Sequence, residues 1–416
     1  MRTALRFLLI GFAVAALWPV RAAVGRQEVS WLDQRGRPTE DAHIALDYLR
    51  SVEDDGLDSR DFDARELEVL AANLHARNEP SDDAVAFDIE LTRNILKYFR
   101  QLHLGRVNPR AVGFEFDTEE GAHDFQAVLR AALARHQLPQ TITDLAPPFA
   151  QYQNLRRALR ENRQTEPSSA SVRQIELAME RLRWLPDLNG SRLLVVNVPM
   201  FRLWTFEEDR ADGTPSIEMN VIVGRANATR TPVFDAELRS VVFRPSWNVP
   251  DSIVRNEILP ALGRDPRYLE KHDMELTRSD GRVSVRQRPG PGNALGLVKF
   301  VFPNPHNVYM HATPVRELFG KARRDFSHGC VRVEDPVALA VWALADEGGW
   351  TREQVIAAMA STTTEAVVLR RPVRVVLFYT TAVYMADTGV VRFADDIYGY
   401  DARLEKALEA SREGLK

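Results

Sequence analysis

Apolar side chains in residues 41–160 recur at helical spacing. The clearest run has intervals of four, three, one and three positions, which places it on one face of a helix: Leu91, Ile95, Tyr98, Phe99 and Leu102. Gly105 and the following Asn108-Pro109 predict where this helix ends. Two more helices are predicted, at residues 125–136, closed by a turn at Pro139, and at residues 152–160. The pattern therefore predicts a helical domain over residues 41–165.

The pattern changes after residues 163–171, a small, polar, proline-containing segment that predicts a linker or exposed connection. A helix is predicted at residues 172–185, within a connecting segment of residues 172–190. β-branched and aromatic residues then predict strands at residues 193–198, 201–206, 219–223, 240–243, 297–302, 308–311, 373–379 and 390–393. We therefore expect an α+β protein whose second domain, residues 191–380, is a β-rich sandwich or barrel, followed by a C-terminal extension, residues 381–416.

Residues 250–296 interrupt the strands with a charged stretch rich in proline and glycine. It has a helix signal at residues 252–262 but no consistent strand pattern, and residues 290–296 predict a turn-rich hinge. An insertion this long is typical of a functional lid or a disordered loop.

The amino terminus predicts export. Arg2 and Arg6 precede an apolar stretch at residues 7–18, so residues 1–22 are typical of a signal peptide. The stretch is shorter than the roughly 20 residues of a bilayer span, with an uncleaved anchor as the alternative. Removing this peptide leaves 51 basic and 58 acidic residues, a net charge of about −7. Without a dense basic stripe, a nucleic-acid partner is not expected.

Cys330 is the only cysteine in the chain, in the run Ser327-His328-Gly329-Cys330, nineteen positions after His311. A lone thiol in an exported protein cannot form an internal disulfide, so it is either incidental or reactive. A reactive thiol must ionise, and histidine is its usual base. At the end of a predicted strand, His311 can point across the sheet. His328 is only two positions before Cys330, so we expect it to shape the loop and bind substrate.

The neighbours of Cys330 favour acyl transfer. The amides of Gly329 and Cys330 can converge on an oxyanion, where each donor contributes about 3 kcal/mol. If the chain is extended, Arg332 lies on the same side and can hold a substrate carboxylate. Two alternatives remain, an inert core cysteine and a zinc site made by His306, His311, His328 and Cys330. We expect no cofactor and no metal.

His311, fifteen residues and then Ser-His-Gly-Cys resemble the signature of the YkuD-type L,D-transpeptidases. Further segments across residues 41–400 resemble the long, YcbB-like subgroup: Trp184-Leu185-Pro186, Val221-Ile222-Val223-Gly224, Thr231-Pro232-Val233-Phe234, Pro245-Ser246-Trp247-Asn248-Val249-Pro250, Glu257-Ile258-Leu259-Pro260, Pro291-Gly292-Asn293-Ala294-Leu295-Gly296 and Asp395-Asp396-Ile397-Tyr398-Gly399. The resemblance implies a helical scaffold domain and a capping insertion, residues 250–296, over a sandwich-like catalytic domain.

The resemblance also implies a periplasmic enzyme of peptidoglycan. Cys330 would attack the third residue of a tetrapeptide donor and expel D-alanine, and the diamino acid of an acceptor stem would resolve the thioester into a 3-3 cross-link. His311 is the implied base, and Gly329 and Cys330 supply the oxyanion hole. The implied substrate contacts are Tyr309, Ser327, His328, Arg332 and Trp247. Cell-wall synthesis proteins are the implied partners.

Two departures from the family pattern affect these expectations. Arg332 replaces the common asparagine two residues after the cysteine, a change that the subgroup shares. No separate peptidoglycan-binding module is evident between the two domains.

The same thioester allows other outcomes. Water as acceptor would give an L,D-carboxypeptidase, and an amine of an envelope protein would give attachment to the wall. An inactive wall-binding scaffold is the non-enzymatic alternative.

Overall fold

The computed structural model of the chain describes residues 29–76, 82–116, 121–167, 169–188, 191–208, 213–279 and 282–413. The predicted signal peptide lies outside them. The helices are α1 (Glu40–Arg50), α2 (Ala64–Ala76), α3 (Asp82–Leu104), α4 (Phe125–Ala134), α5 (Leu138–Leu145), α6 (Ala150–Thr165), α7 (Ala170–Leu182), α8 (Asp251–Ile253), α9 (Leu259–Arg264), α10 (Tyr268–Lys271), α11 (Pro336–Ala343), α12 (Arg352–Ala360) and α13 (Tyr400–Glu413). None of the described helices is both long and apolar enough to cross a bilayer.

Helices α1, α2, α4 and α5 pack against α3, whose apolar face is buried as the spacing predicts. All five residues of the predicted face are at most 1% exposed. Gly105 follows the last residue of α3 with a φ of +81°, the left-handed conformation in which glycine ends helices. The helical domain is thus built on the periodicity that the sequence displays.

The second domain is a sheet made from β1 (Phe114–Glu115), β2 (Leu193–Asn197), β3 (Arg202–Phe206), β4 (Ile217–Gly224), β5 (Val233–Phe243), β9 (Val298–Val301), β10 (Met310–His311), β11 (Asp325–Ser327), β12 (Val331–Val333) and β13 (Glu365–Phe378). Its order is β1-β5-β13-β2-β3-β4-β12-β10-β9, with β11 beside β4. Because β5 also pairs with β9, the path closes on itself around the apolar core. A short hairpin of β14 (Ala382–Met385) and β15 (Val390–Phe393) follows.

The insertion forms a capping unit over residues 247–296, with β6 (Trp247–Asn248), the helices α8 to α10, and a hairpin of β7 (Met274–Ser279) and β8 (Arg282–Gln287). Its small core is separate from the main one and contains Val249, Ile253, Ile258 and Val285. The helix predicted at residues 252–262 is present as α8, a π-helical turn (Val254–Ile258) and α9.

The exposed connection predicted at residues 163–171 is present but shorter, since α6 ends at Thr165 and α7 begins at Ala170. Two other details of the sequence interpretation were wrong. Pro139 does not close the helix before it but lies in the first turn of α5, where its missing N–H costs nothing. The insertion has strands, β7 and β8, which the sequence pattern did not reveal.

Candidate active site

Three neighbouring strands place a histidine between two cations. His311 pairs with Arg332 across the parallel β10–β12 ladder and with Lys299 across the antiparallel β10–β9 ladder. Directly paired residues project from the same face of a sheet. Lys299, His311 and Arg332 therefore form a row across one face, with the imidazole in the middle.

Cys330 directly precedes β12 and lies beside this row. The amide of the next residue, Val331, donates to the carbonyl of Tyr309 at 3.1 Å, which continues the ladder up to the cysteine. The thiol is partly exposed, lies 4.0 Å from the Asn307 carbonyl oxygen, and interacts with the backbone and side chain of Tyr309. Side chains alternate along a strand, so Cys330 shares its face with Arg332, and Tyr309 shares its face with His311.

The site controls proton affinity by burial and by fixed charge. Burial raises the pKa of the Cys330 thiol, whereas Tyr309, Lys299 and Arg332 act to lower it. Burial and the charges of Arg332 and Lys299 lower the pKa of His311 to about 3, against hydrogen bonds to the Ala312 and Leu295 carbonyls. At neutral pH the imidazole is therefore uncharged. Its Nδ1 lies 2.6 Å from the Ala312 carbonyl oxygen, which assigns the proton to Nδ1 and leaves Nε2 as the basic nitrogen.

The loop before the thiol has a conformation that requires glycine. Gly329 has a φ of +114°, although an added Cβ would meet nothing closer than 3.7 Å, so backbone conformation selects the residue. Ser327 is buried, and its hydroxyl donates to the Cys330 carbonyl at 2.5 Å and accepts from the Gly329 amide at 3.1 Å. Ser327 thus holds the loop together. The Gly329 amide must exchange this partner before it can bind an oxyanion, the role that the sequence predicts for it.

Two residues that the sequence pattern did not single out hold this loop against β4. The Thr231 hydroxyl donates to the Gly329 carbonyl at 2.8 Å and accepts from the Gly224 amide at 2.9 Å. The Tyr398 hydroxyl donates to the Gly224 carbonyl at 2.6 Å and accepts from the Thr231 amide at 3.1 Å. Both residues lie in segments that carry the family resemblance, which was the only sequence signal for them.

His328 connects the loop to the capping unit. Its Nε2 lies 2.6 Å from Oε1 of Glu257, which belongs to the cap, and Arg225 contacts both groups. Trp247 belongs to β6 at the base of the cap, where its side chain interacts with the hydroxyl of Tyr309. The cap therefore touches the loop before Cys330, called the catalytic loop below, at His328, and through Trp247 it touches the sheet face of Lys299, His311 and Arg332, called the catalytic face below.

The zinc alternative has no support in the described part of the chain, which holds no cluster of three or more histidine, cysteine, aspartate or glutamate residues suited to a metal. His306 contacts Glu115 at 2.9 Å and His328 contacts Glu257. Pro336 begins α11, and the Asp335 side chain caps this helix by accepting from the Ala338 amide. The helix follows β12 and thereby fixes the end of that strand.

Comparison with known families assigns both domains. Residues 25–159 match the family described as a scaffold domain, and residues 191–368 match the L,D-transpeptidase catalytic domain of the YkuD family. The second match contains the row of Lys299, His311 and Arg332 together with Cys330.

Individual relatives point the same way. The chain is 31% identical over 310 residues to a Haemophilus influenzae protein named "Putative L,D-transpeptidase", a match that covers 70% of this chain and 61% of that protein. A crystal structure of an L,D-transpeptidase (residues 123–326) from Xylanimonas cellulosilytica matches at 14% identity and a TM-score of 0.19, covering 50% of this chain and 70% of the other. That score supports no argument about the fold. The two family matches show that the chain carries a scaffold domain followed by an L,D-transpeptidase catalytic domain of the YkuD family, and the chain spans 61% of the length of the curated relative.

Proposed function

We propose that the protein is a peptidoglycan L,D-transpeptidase that forms 3-3 cross-links through a thioester on Cys330. The observation that carries the proposal is the position of the only cysteine of the chain, partly exposed and on the same sheet face as a buried, uncharged histidine. A thiol with a raised pKa needs a base at the moment of attack, and a neutral imidazole whose Nε2 carries no proton is such a base.

The reaction follows from these groups. The Cys330 sulfur attacks the carbonyl of the third stem residue as its proton passes to Nε2 of His311. The peptide bond to D-alanine breaks, D-alanine leaves with that proton on its nitrogen, and a thioester remains. The side-chain amine of an acceptor stem then attacks the thioester and gives up a proton through His311, so that an amide forms and the thiol is restored. We place this reaction in the periplasm, reached by the predicted export signal.

The capping unit supports the choice of a peptidoglycan amine, rather than water, as the acceptor. Water, the stem amine and an amine on an envelope protein would all resolve the same thioester. The capping unit contacts the catalytic loop through Glu257 and His328 and the catalytic face through Trp247. A cover that excludes water favours aminolysis over hydrolysis.

Incubation of the purified protein with disaccharide-tetrapeptide, followed by mass spectrometry of the products, tests the proposal. We expect cross-linked dimers and free D-alanine, both absent with Cys330→Ser. Tripeptide without dimers would make the protein a carboxypeptidase, and no turnover together with no carbapenem adduct on Cys330 would favour the inactive wall-binding scaffold.

A further inference from the structure

Two cations beside the thiol have no anionic partner among the residues that the structure describes. Lys299 and Arg332 form no ion pair with any carboxylate in the described residues, and Nε of Arg332 is buried without a hydrogen-bond acceptor. Arg225, a cation whose charge acts on Arg332, differs because it has Glu257 at 3.8 Å. A desolvated cation without a counter-charge is unfavourable, so such a pair is typical of a site that awaits an anion.

The surroundings of both cations hold them in place. Each is partly buried, and burial lowers the pKa of Lys299 and of Arg332, whereas the thiolate form of Cys330 would raise both. The ammonium of Lys299 lies 3.7 Å from the centre of the Tyr309 ring, a cation–π contact that fixes the side chain on the catalytic face. The pairing of β9, β10 and β12 fixes the Cα positions of the two residues on either side of His311.

We propose that Lys299 and Arg332 together form an anion subsite beside Cys330 that binds a carboxylate of the donor peptide. The inference rests on the proposed function for the identity of the donor and adds Lys299 as a second binding residue. A planar guanidinium and a neighbouring ammonium suit the two oxygens of a carboxylate. Because the subsite shares its face with the thiol, the bound carboxylate belongs to the reacting residue or to the leaving D-alanine.

The single cysteine permits a test that needs no transpeptidase activity. Iodoacetate and iodoacetamide both alkylate Cys330 with loss of iodide, but only iodoacetate carries a carboxylate. The ratio of the two rates therefore reports the local cations and cancels any change in thiol pKa. We expect Lys299→Met and Arg332→Gln each to lower this ratio about 3- to 10-fold, and 0.5 M salt to lower it in the wild type.

Matched variants separate binding from folding. Lys299→Arg keeps the charge and should restore the ratio, whereas Lys406→Met, an exposed lysine of α13, should leave it unchanged. Thermal unfolding of each variant checks that it is folded. If neither Lys299→Met nor Arg332→Gln alters the ratio of the two alkylation rates, the subsite is overturned.

Donor peptides identify which carboxylate binds. One donor carries a carboxamide at the terminal D-alanine and a second carries it on the side chain of the third residue. The carboxamide that replaces the bound carboxylate should raise KM at least several-fold in the wild type and much less in Lys299→Met. The change in kcat should be smaller than the change in KM. If the carboxamide changes KM equally in the wild type and in Lys299→Met for both donors, the subsite does not bind a donor carboxylate and that assignment is overturned. An altered alkylation ratio in a protein that is not acylated by any donor supports the subsite and contradicts the proposed function instead.

Discussion

His311 lies directly opposite Arg332 in the pairing of β10 with β12, and burial, together with that cation, holds the pKa of the imidazole at about 3. A thiolate–imidazolium pair is therefore unfavourable before substrate arrives. The arrangement favours transfer of the thiol proton to His311 during attack, when negative charge moves to the substrate oxygen.

The lowered pKa predicts how stability depends on pH. Between the ordinary histidine value of 6.5 and about 3, the unfolded chain binds a proton at His311 that the folded protein does not. The free energy of unfolding should thus fall by roughly 1.4 kcal/mol per pH unit from this group as pH decreases. Urea unfolding at pH 7 and pH 5 measures it: His311→Asn should lose about 2 kcal/mol less than the wild type. Equal losses would contradict the buried, neutral state of His311.

Gly329→Ala tests the conformation of the loop before the thiol. Its φ of +114° strains any other residue, while an added Cβ has room, so we expect a cost of about 1–3 kcal/mol and slower acylation by a carbapenem. Gly320→Ala is the control, because a Cβ added there would meet no described atom within 4 Å and its φ is not positive. If the two variants unfold at the same temperature, backbone strain is not the reason for glycine here.

Thr231→Val removes the hydroxyl that joins Gly224 to Gly329. Thr231 is fully buried, so the variant leaves one amide and one carbonyl without partners, at a cost of about 2–4 kcal/mol. Thr229→Val is the matched control, since the Thr229 hydroxyl also binds the loop, at the Ser327 carbonyl, but from a partly exposed position where water can replace it. Denaturant unfolding compares them, and an equal effect would show that burial of this contact is unimportant.

Glu257→Gln tests the contact between the cap and the catalytic loop. Glu257 is about half exposed, so the loss of stability should be under about 1 kcal/mol. Faster hydrogen exchange across residues 250–296 and more tripeptide relative to dimer are expected, because a looser cap admits water. Glu270→Gln removes an ion pair with Arg267 on the surface of the same cap and should change neither. An unchanged ratio of tripeptide to dimer in Glu257→Gln would show that this cap contact does not determine the acceptor.

The sequence predicted those features that depend on neighbours along the chain. The buried face of α3 and the end of that helix at Gly105 follow from local spacing and capping. The strand ending at His311 was also predicted, although only its last two residues, Met310 and His311, are in β10.

Features that depend on pairing between distant segments were not predictable. Lys299 reads as one polar residue in an apolar strand, and its role appears only because β9 pairs with β10 in the observed register. The hairpin of β7 and β8 was missed although polar and apolar residues alternate along it, because each strand has only two apolar residues and Leu276 is 60% exposed. Thr231 lies 98 positions from Gly329, beyond any local pattern.

The most direct test of the account is the mass of the intact protein after brief exposure to disaccharide-tetrapeptide. We predict an adduct equal to the donor minus D-alanine, located on Cys330, absent from Cys330→Ala and formed about 10²- to 10⁴-fold more slowly in a folded His311→Gln variant. Donor turnover that persists in Cys330→Ala would contradict the central claim, because the chain has no other thiol to carry the acyl group.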